Sequence, residues 1–98
     1  MTVTLARQVI KPECIDMYHK LAAELVAASR KEAGCGGYES VQSQDDPRVH
    51  IFIEHWKDQE AMDIHGASEH FTRIVPQFSA MFDEEEIVTR YEVWDAEI

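Results

Sequence analysis

Residues 49–71 read VHIFIEHWKDQEAMDIHGASEHF. The first part, Val49 to Trp56, is rich in β-branched and aromatic residues and predicts a strand. Alternation puts Val49, Ile51 and Ile53 on one face and Phe52 and Trp56 on the other, so neither face of this strand suits water. Lys57–Asp58 breaks the strand. Asp58 then caps a short helix from Gln59 to Ile64 that closes on His65, Gly66 interrupts it, and Ser68 caps a second start. A strand that is apolar on both faces and passes at once into helix requires cover from both sides.

Working outward, Tyr38 to Gln44 reads as a strand ending in the turn signal Asp45–Asp46–Pro47, which makes it a hairpin partner of Val49–Trp56. Before it, Pro12 opens a long amphipathic helix with Ile15, Tyr18, Leu21, Ala22, Leu25 and Ala28/Ser29 on its apolar stripe. Gly34, Gly36 and Gly37 stop that helix, and Gly34–Cys35–Gly36–Gly37 reads as a turn. Val3 to Ile10 is a first strand, with Val3, Leu5 and Val9 on one face and Thr4, Ala6 and Gln8 on the other. Downstream, Phe71, Ile74, Val75, Phe78, Met81 and Phe82 recur at helical intervals, with a kink or restart expected near Val75 because Pro76 lacks an N–H. Glu86 to Trp94 is the last strand, with Ile87, Tyr91 and Val93 opposite Val88 and Trp94.

This order is the split βαββαβ arrangement of a ferredoxin-like α+β fold: one domain over residues 1–98, a four-stranded antiparallel sheet and its helices on one face. The doubly apolar third strand adds an expectation. A homodimer packed sheet to sheet, as a dimeric α/β-barrel, covers the second face and leaves a cavity where polar residues such as Glu54 point inward.

The 98 residues carry a net charge of −10, with nine basic residues scattered among nineteen acidic ones, which argues against a nucleic-acid partner. No apolar run reaches the ~18–20 residues of a membrane span, and the amino terminus shows no secretory pattern, so a cytoplasmic location without membrane association is expected. Cys14 and Cys35 are too few and too far apart for a zinc pattern or a CxxC pair, and read as buried thiols.

The candidate chemistry gathers in the opening stretch. Glu54 and Trp56 share a strand face while His55 points away. A carboxylate beside an indole in a semi-apolar cavity has its charged form disfavoured, which suits it to carrying a proton. The alternative is an ion pair with Arg7 or Arg90, leaving Trp56 as plain core. His65 and His70 are matched to proton transfer near neutral pH. His65 can equally be a helix-terminal residue bonding a carbonyl. Their five-residue spacing does not place both on one helix face and no third ligand is evident beyond Glu69, His55 or Glu54, so no metal site is expected. His19 and His50 read as surface residues. No glycine-rich phosphate loop, dinucleotide fingerprint or nucleophile elbow is present.

The string Ser29–Tyr38 (SRKEAGCGGY), then Asp45–Asp46–Pro47, then Glu54, Trp56, Ala61, His65, Ser68, His70 and Phe71, resembles the antibiotic biosynthesis monooxygenase family, from about Val3 to Trp94. The resemblance implies a ferredoxin-like protomer in a dimer and, in the quinol and polyketide oxygenase branch, chemistry with neither metal nor flavin. On that pattern the partners are a small quinol-like or polycyclic hydroxyaromatic and O2. It further implies His65 as base, His70 or Glu54 as its orienting or relaying partner, Trp56 as a wall against the ring, Tyr38 as a donor, and Phe52 and Phe71 as further substrate contacts. The haem-degrading branch has a Trp where this chain has His65 and a ligating His where it has Val75, so haem cleavage is not expected. A third branch isomerises a phosphorylated hydroxyketone and shares the Glu and the two His. That isomerase, and a dimeric module that binds a small molecule without turnover, are the alternatives.

Overall fold

The structure is a computed structural model and describes residues 1–95. Its strands are β1 (Thr2–Val9), β2 (Cys35–Gln42), β3 (Val49–Trp56) and β4 (Ile87–Glu92), and its helices are α1 (Ile15–Ser29), α2 (Gln59–Ala67) and α3 (Glu69–Phe78). Short 3-10 turns precede α1 at Pro12–Cys14 and follow α3 at Ser79–Met81. The strands form one antiparallel sheet in the order β2-β3-β1-β4, the ferredoxin-like order.

One face of the sheet is covered by helices. Tyr18, Ala22 and Leu25 of α1 and Ile74 and Phe78 of α3 pack with Ala6, Tyr38, Phe52 and Trp56 of the sheet. Burying side chains of this size stabilises by about 1.5–3 kcal/mol each, which is what holds the helices to the sheet.

The alternation of β3 is as expected. His50, Phe52, Glu54 and Trp56 are buried toward the helices, while Val49, Ile51, Ile53 and His55 are half-buried on the outer face. Register carries this alternation across the sheet. Thr4 lies opposite both Glu54 and Arg90, Ala6 opposite Phe52 and Val88, and Tyr38 opposite Glu54. The helix side is therefore floored by a polar row (Arg90, Thr4, Glu54, Tyr38) beside an apolar one (Val88, Ala6, Phe52). The polar residues Thr4 and Gln8 of β1 are thus buried beneath the helices, and Val3 and Leu5 belong to the outer face. Polar side chains occupy the inner positions because they border a cavity.

Several local expectations are corrected. Gly36 and Gly37 belong to β2, which begins at Cys35 and absorbs the irregularity as a register shift between Cys35 and Gly37. Gly66 does not interrupt α2, which runs on to Ala67; one glycine costs a helix only ~1 kcal/mol, less than ending it here. Pro76 causes no restart near Val75. It sits in the last turn of α3, where one missing backbone bond costs less than losing the buried Ile74 and Phe78. Trp94 lies beyond β4 and is 92% exposed. His50 is buried, 1% exposed, against the Tyr18 ring, while His19 is on the surface as expected. Cys14 and Cys35 are only half-buried, and both are free thiols.

Candidate active site

Two capping side chains fix the geometry of the site. Asp58 accepts a hydrogen bond from the Ala61 N–H (2.9 Å) and starts α2 directly after β3. Ser68 accepts from the Phe71 N–H (3.3 Å) to start α3, and its hydroxyl donates to the His65 carbonyl (2.6 Å). One residue thus ends α2 and begins α3, and the turn between them brings His65 and His70 to ring centroids 5.9 Å apart.

Between them lies a residue that the sequence reading did not assign, Glu32. Its Oε2 is 2.6 Å from His65 Nδ1 and 2.8 Å from His70 Nε2. Glu32 sits in the connection after α1, and that connection is held tightly. The Lys57 N–H donates to the Gly34 carbonyl (2.9 Å), and Gly34 lies so close to Ala61 of α2 that a side chain there would collide with the Ala61 methyl. The close approach that only glycine permits puts the Glu32 carboxylate under both histidines.

A carboxylate only accepts hydrogen bonds, so both imidazole nitrogens facing it carry protons. His65 therefore holds its proton on Nδ1 and its lone pair on Nε2. Nε2 is buried and has no hydrogen-bond partner among the described residues. Its nearest carboxylate is Glu54, with Oε1 3.9 Å away. The ring is caged by aromatic neighbours: Trp56 at 4.4 Å between centroids, Phe71 at 5.0 Å and Tyr38 at 5.5 Å. The imidazole is fixed in place with one free basic nitrogen.

The His65 side chain lines a cavity of about 200 Å³ between the sheet and α2/α3. The cavity lies inside the protomer, on the helix side of the sheet. This corrects the expectation that Glu54 points into a space between two packed sheets. Tyr38, Phe52, Glu54, Trp56, His65 and Phe71 all line it; His70 does not, and stands behind Glu32. Further lining residues went unassigned in the sequence, notably Thr4, Gln8 and Glu86, while Arg90, named there as a possible ion partner of Glu54, lines the cavity too. At one end Gln8 accepts from the Tyr18 hydroxyl (2.5 Å) and donates to Glu86 (2.6 Å), so this wall is itself hydrogen-bonded.

Burial sets the proton affinities. Loss of solvation lifts the Glu54 carboxyl from its ordinary 4.5 to about 7, against the opposing effect of the Trp56 indole N–H, which donates to Oε1 at 2.9 Å. Burial pushes the His65 imidazole below its usual range, and the Glu32 carboxylate offsets part of that. The Tyr38 hydroxyl is raised, by burial first and then by Glu54, so it is a neutral donor at physiological pH. The neutral forms of His65 and Tyr38 are thus favoured, and Glu54 titrates near neutrality.

One atom each of Glu32, His65 and His70 lie within 4.8 Å of one another, a donor set that suits a transition metal and supplies the third ligand that spacing alone did not reveal. The 2.6 and 2.8 Å separations, however, are those of hydrogen bonds. Ligands held at ~2.0–2.1 Å around one tetrahedral ion stand roughly 3.3 Å apart, so the trio would have to open to admit it.

The chain is thus a ferredoxin-like fold in which an imidazole, anchored through Nδ1 on Glu32, lines a cavity walled by aromatic side chains. The chain belongs to the antibiotic biosynthesis monooxygenase family, whose sequence profile matches residues 1–77. It is 32% identical over 75 residues to "Putative monooxygenase YcnE" of Bacillus subtilis (strain 168), covering 76% of this chain and 79% of that protein. It superimposes on a crystal structure described as an antibiotic biosynthesis monooxygenase with a TM-score of 0.92 at 40% identity, covering 97% of this chain and 100% of the other. A conserved protein from Methanosarcina mazei Go1 matches at 31% identity with a TM-score of 0.89, over 93% of this chain and 90% of its own.

Proposed function

We propose that this protein is a cofactor-independent monooxygenase that oxidises a one- or two-ring hydroxyaromatic with O2. The observation that carries the reading is His65: it lines an aromatic cavity, its Nε2 is buried without a hydrogen-bond partner among the described residues, and its Nδ1 is anchored on Glu32. A phenol bound there gives its proton to Nε2, and the resulting imidazolium is stabilised by the Glu32 carboxylate. The aryloxide, stacked among Trp56, Tyr38 and Phe71, is electron-rich enough to reduce O2 directly. One oxygen atom bonds to the ring carbon para to the hydroxyl and becomes the second carbonyl of a quinone. The other leaves as water, carrying the hydrogens of the hydroxyl and of that ring carbon. The substrate supplies all four electrons, so no further reductant enters. Glu54, half-protonated near neutral pH, is the nearest acid to return a proton to reduced oxygen.

The size of the cavity supports one or two rings over larger polycycles, since about 150 Å³ holds a benzene and this space is about 200 Å³. The active form in this reading is a homodimer joined through the outer sheet face, where Ile51, Ile53, Ile87 and Tyr91 stand without helices over them.

The test is oxygen consumption with naphthols, using isotopically labelled O2. One labelled atom per quinone and one O2 per substrate are expected. No enzyme-dependent uptake with naphthols, together with turnover of a small phosphorylated hydroxyketone without oxygen, would instead support the second reading, isomerisation of that hydroxyketone. That reading is favoured by one observation, a cation, Arg90, in the cavity lining.

A further inference from the structure

Among the described residues, Arg90 is the only Lys or Arg that lines the cavity. It stands on β4, an edge strand whose residues are all exposed, so it marks the mouth of the cavity, with Glu86 and Val88 beside it. It shares a cross-strand row with the reacting end: Arg90 pairs with Thr4, and Thr4 pairs with Glu54. Strands ~4.8 Å apart place Arg90 and Glu54 roughly 9.5 Å apart, backbone to backbone, across β1.

Other guanidinium groups that border acidic side chains are engaged. Arg48 pairs with Asp46 and Asp83, and Arg73 with Glu24 and Glu69, while Arg30 donates to the Tyr38 carbonyl. Arg7 lies on the outer face, opposite Ile51 and Ile87. Arg90 makes no ion pair or hydrogen bond with any described residue, although the chain carries a net charge of −10. Its field nonetheless reaches Glu54, whose proton affinity it lowers. A cation left unpaired in an acidic protein, at the open end of an aromatic cavity, is available to a ligand.

Building on the oxygenase reading, we infer that the substrate is a hydroxyaromatic acid whose carboxylate docks on Arg90 while its hydroxyl lies at His65. A planar guanidinium takes a carboxylate through two parallel hydrogen bonds. Arg90 lies across β1 from Glu54, the carboxylate beside His65, so the carboxylate belongs on the ring distal to the hydroxyl, as in a bicyclic hydroxynaphthoate and unlike a salicylate-type acid with adjacent groups. A monoanion suits this mouth better than a phosphate dianion, because Glu54 and Glu86 also border the cavity and repel each added negative charge.

The experiment is isothermal titration without oxygen, so that binding is read independently of turnover. The probes are a hydroxynaphthoate with its carboxylate on the distal ring, its methyl ester, and a naphthyl phosphate of the same size. The protein is the full chain as parent, Arg90→Ala and Arg90→Lys. The acid should bind the parent about tenfold more tightly than the ester. That ratio should fall to near unity in R90A and recover only in part in R90K, which keeps the charge but not the fork. Equal binding of acid and ester to the parent, or an acid preference that survives in R90A, overturns the proposal. Tighter binding of the phosphate than of the carboxylate overturns the assignment of a carboxylic acid. Oxygen uptake with the same acid is measured separately: acid-selective binding without uptake upholds the role of Arg90 and refutes the oxygenase reading. With uptake, R90A should raise KM for the acid about tenfold with little change in kcat.

Discussion

Glu54 and His50 are two buried titratable side chains whose effects on stability run in opposite directions with pH. The Glu54 carboxyl is raised from 4.5 to about 7 in the folded protein, so the native state binds its proton more tightly than the unfolded chain does. Its contribution is fully favourable below about pH 4.5 and is lost as pH rises through about 7. Glu54→Gln, which keeps the hydrogen-bonding shape without the charge, should therefore be more stable than the parent at pH 8 by about 2–3 kcal/mol and nearly equal to it at pH 5, as read by urea denaturation. Equal effects at both pH values would mean that Glu54 is not buried as described. His50 behaves oppositely. Burial lowers its proton affinity, as does the neighbouring His19, whose Nε2 lies 2.8 Å from His50 Nε2, while the His50 Nδ1–H donates to the Arg48 carbonyl. Its contribution is present above about 6.5 and is lost as pH falls. No local pattern signals this burial, because what covers His50 is Tyr18, far away in the chain.

At the level of elements, signals confined to one or two turns were readable. Asp58 and Ser68 cap where their side chains and spacing indicate, and the bounds of β3 follow from its alternation. Two glycine readings failed because a glycine permits a break without requiring one. The same two helices offer a contrasting pair of tests. A Cβ on Gly66 would meet nothing within 4 Å, so Gly66→Ala should stabilise the protein by about 0.5–1 kcal/mol through helix propensity alone. Gly34→Ala should cost about 1–3 kcal/mol, because the added methyl drives the Glu32 connection away from Ala61. Thermal denaturation of both variants checks the signs, and a stabilised Gly34→Ala would remove the stated reason for the position of Glu32. Glu32 itself was invisible to any local pattern: its partners lie 33 and 38 residues away, and only the packing of this connection against α2 brings them together.

For the whole molecule, the fold was legible because its order of strands and helices admits one sheet topology, whereas the side on which the cavity opens was not. β3 is apolar on both faces, and pattern alone does not tell a helix-covered face from one open to a second sheet. The outer face decides the proposed assembly. Ile87 and Tyr91 are 52% and 53% exposed, beside the half-buried Ile51 and Ile53. Light scattering behind gel filtration should give about twice the 11.3 kDa chain mass, and Ile53→Asp should give the single chain. A parent that elutes as a monomer at micromolar concentration would contradict the dimer.

In the proposed reaction His65, held by Glu32, takes the substrate proton that starts oxygen consumption. The most direct test of this step is the rate of oxygen uptake by metal-stripped parent, His65→Ala and Glu32→Gln proteins with a naphthol, corrected for autoxidation and followed against pH. The parent should consume oxygen, His65→Ala should lose at least about a hundredfold in kcat, and Glu32→Gln should lose about tenfold with its acidic limb moved to lower pH, because the carboxylate that raises the proton affinity of His65 is gone. A His65→Ala protein that is folded and consumes oxygen at the parent rate would rule out His65 as the base.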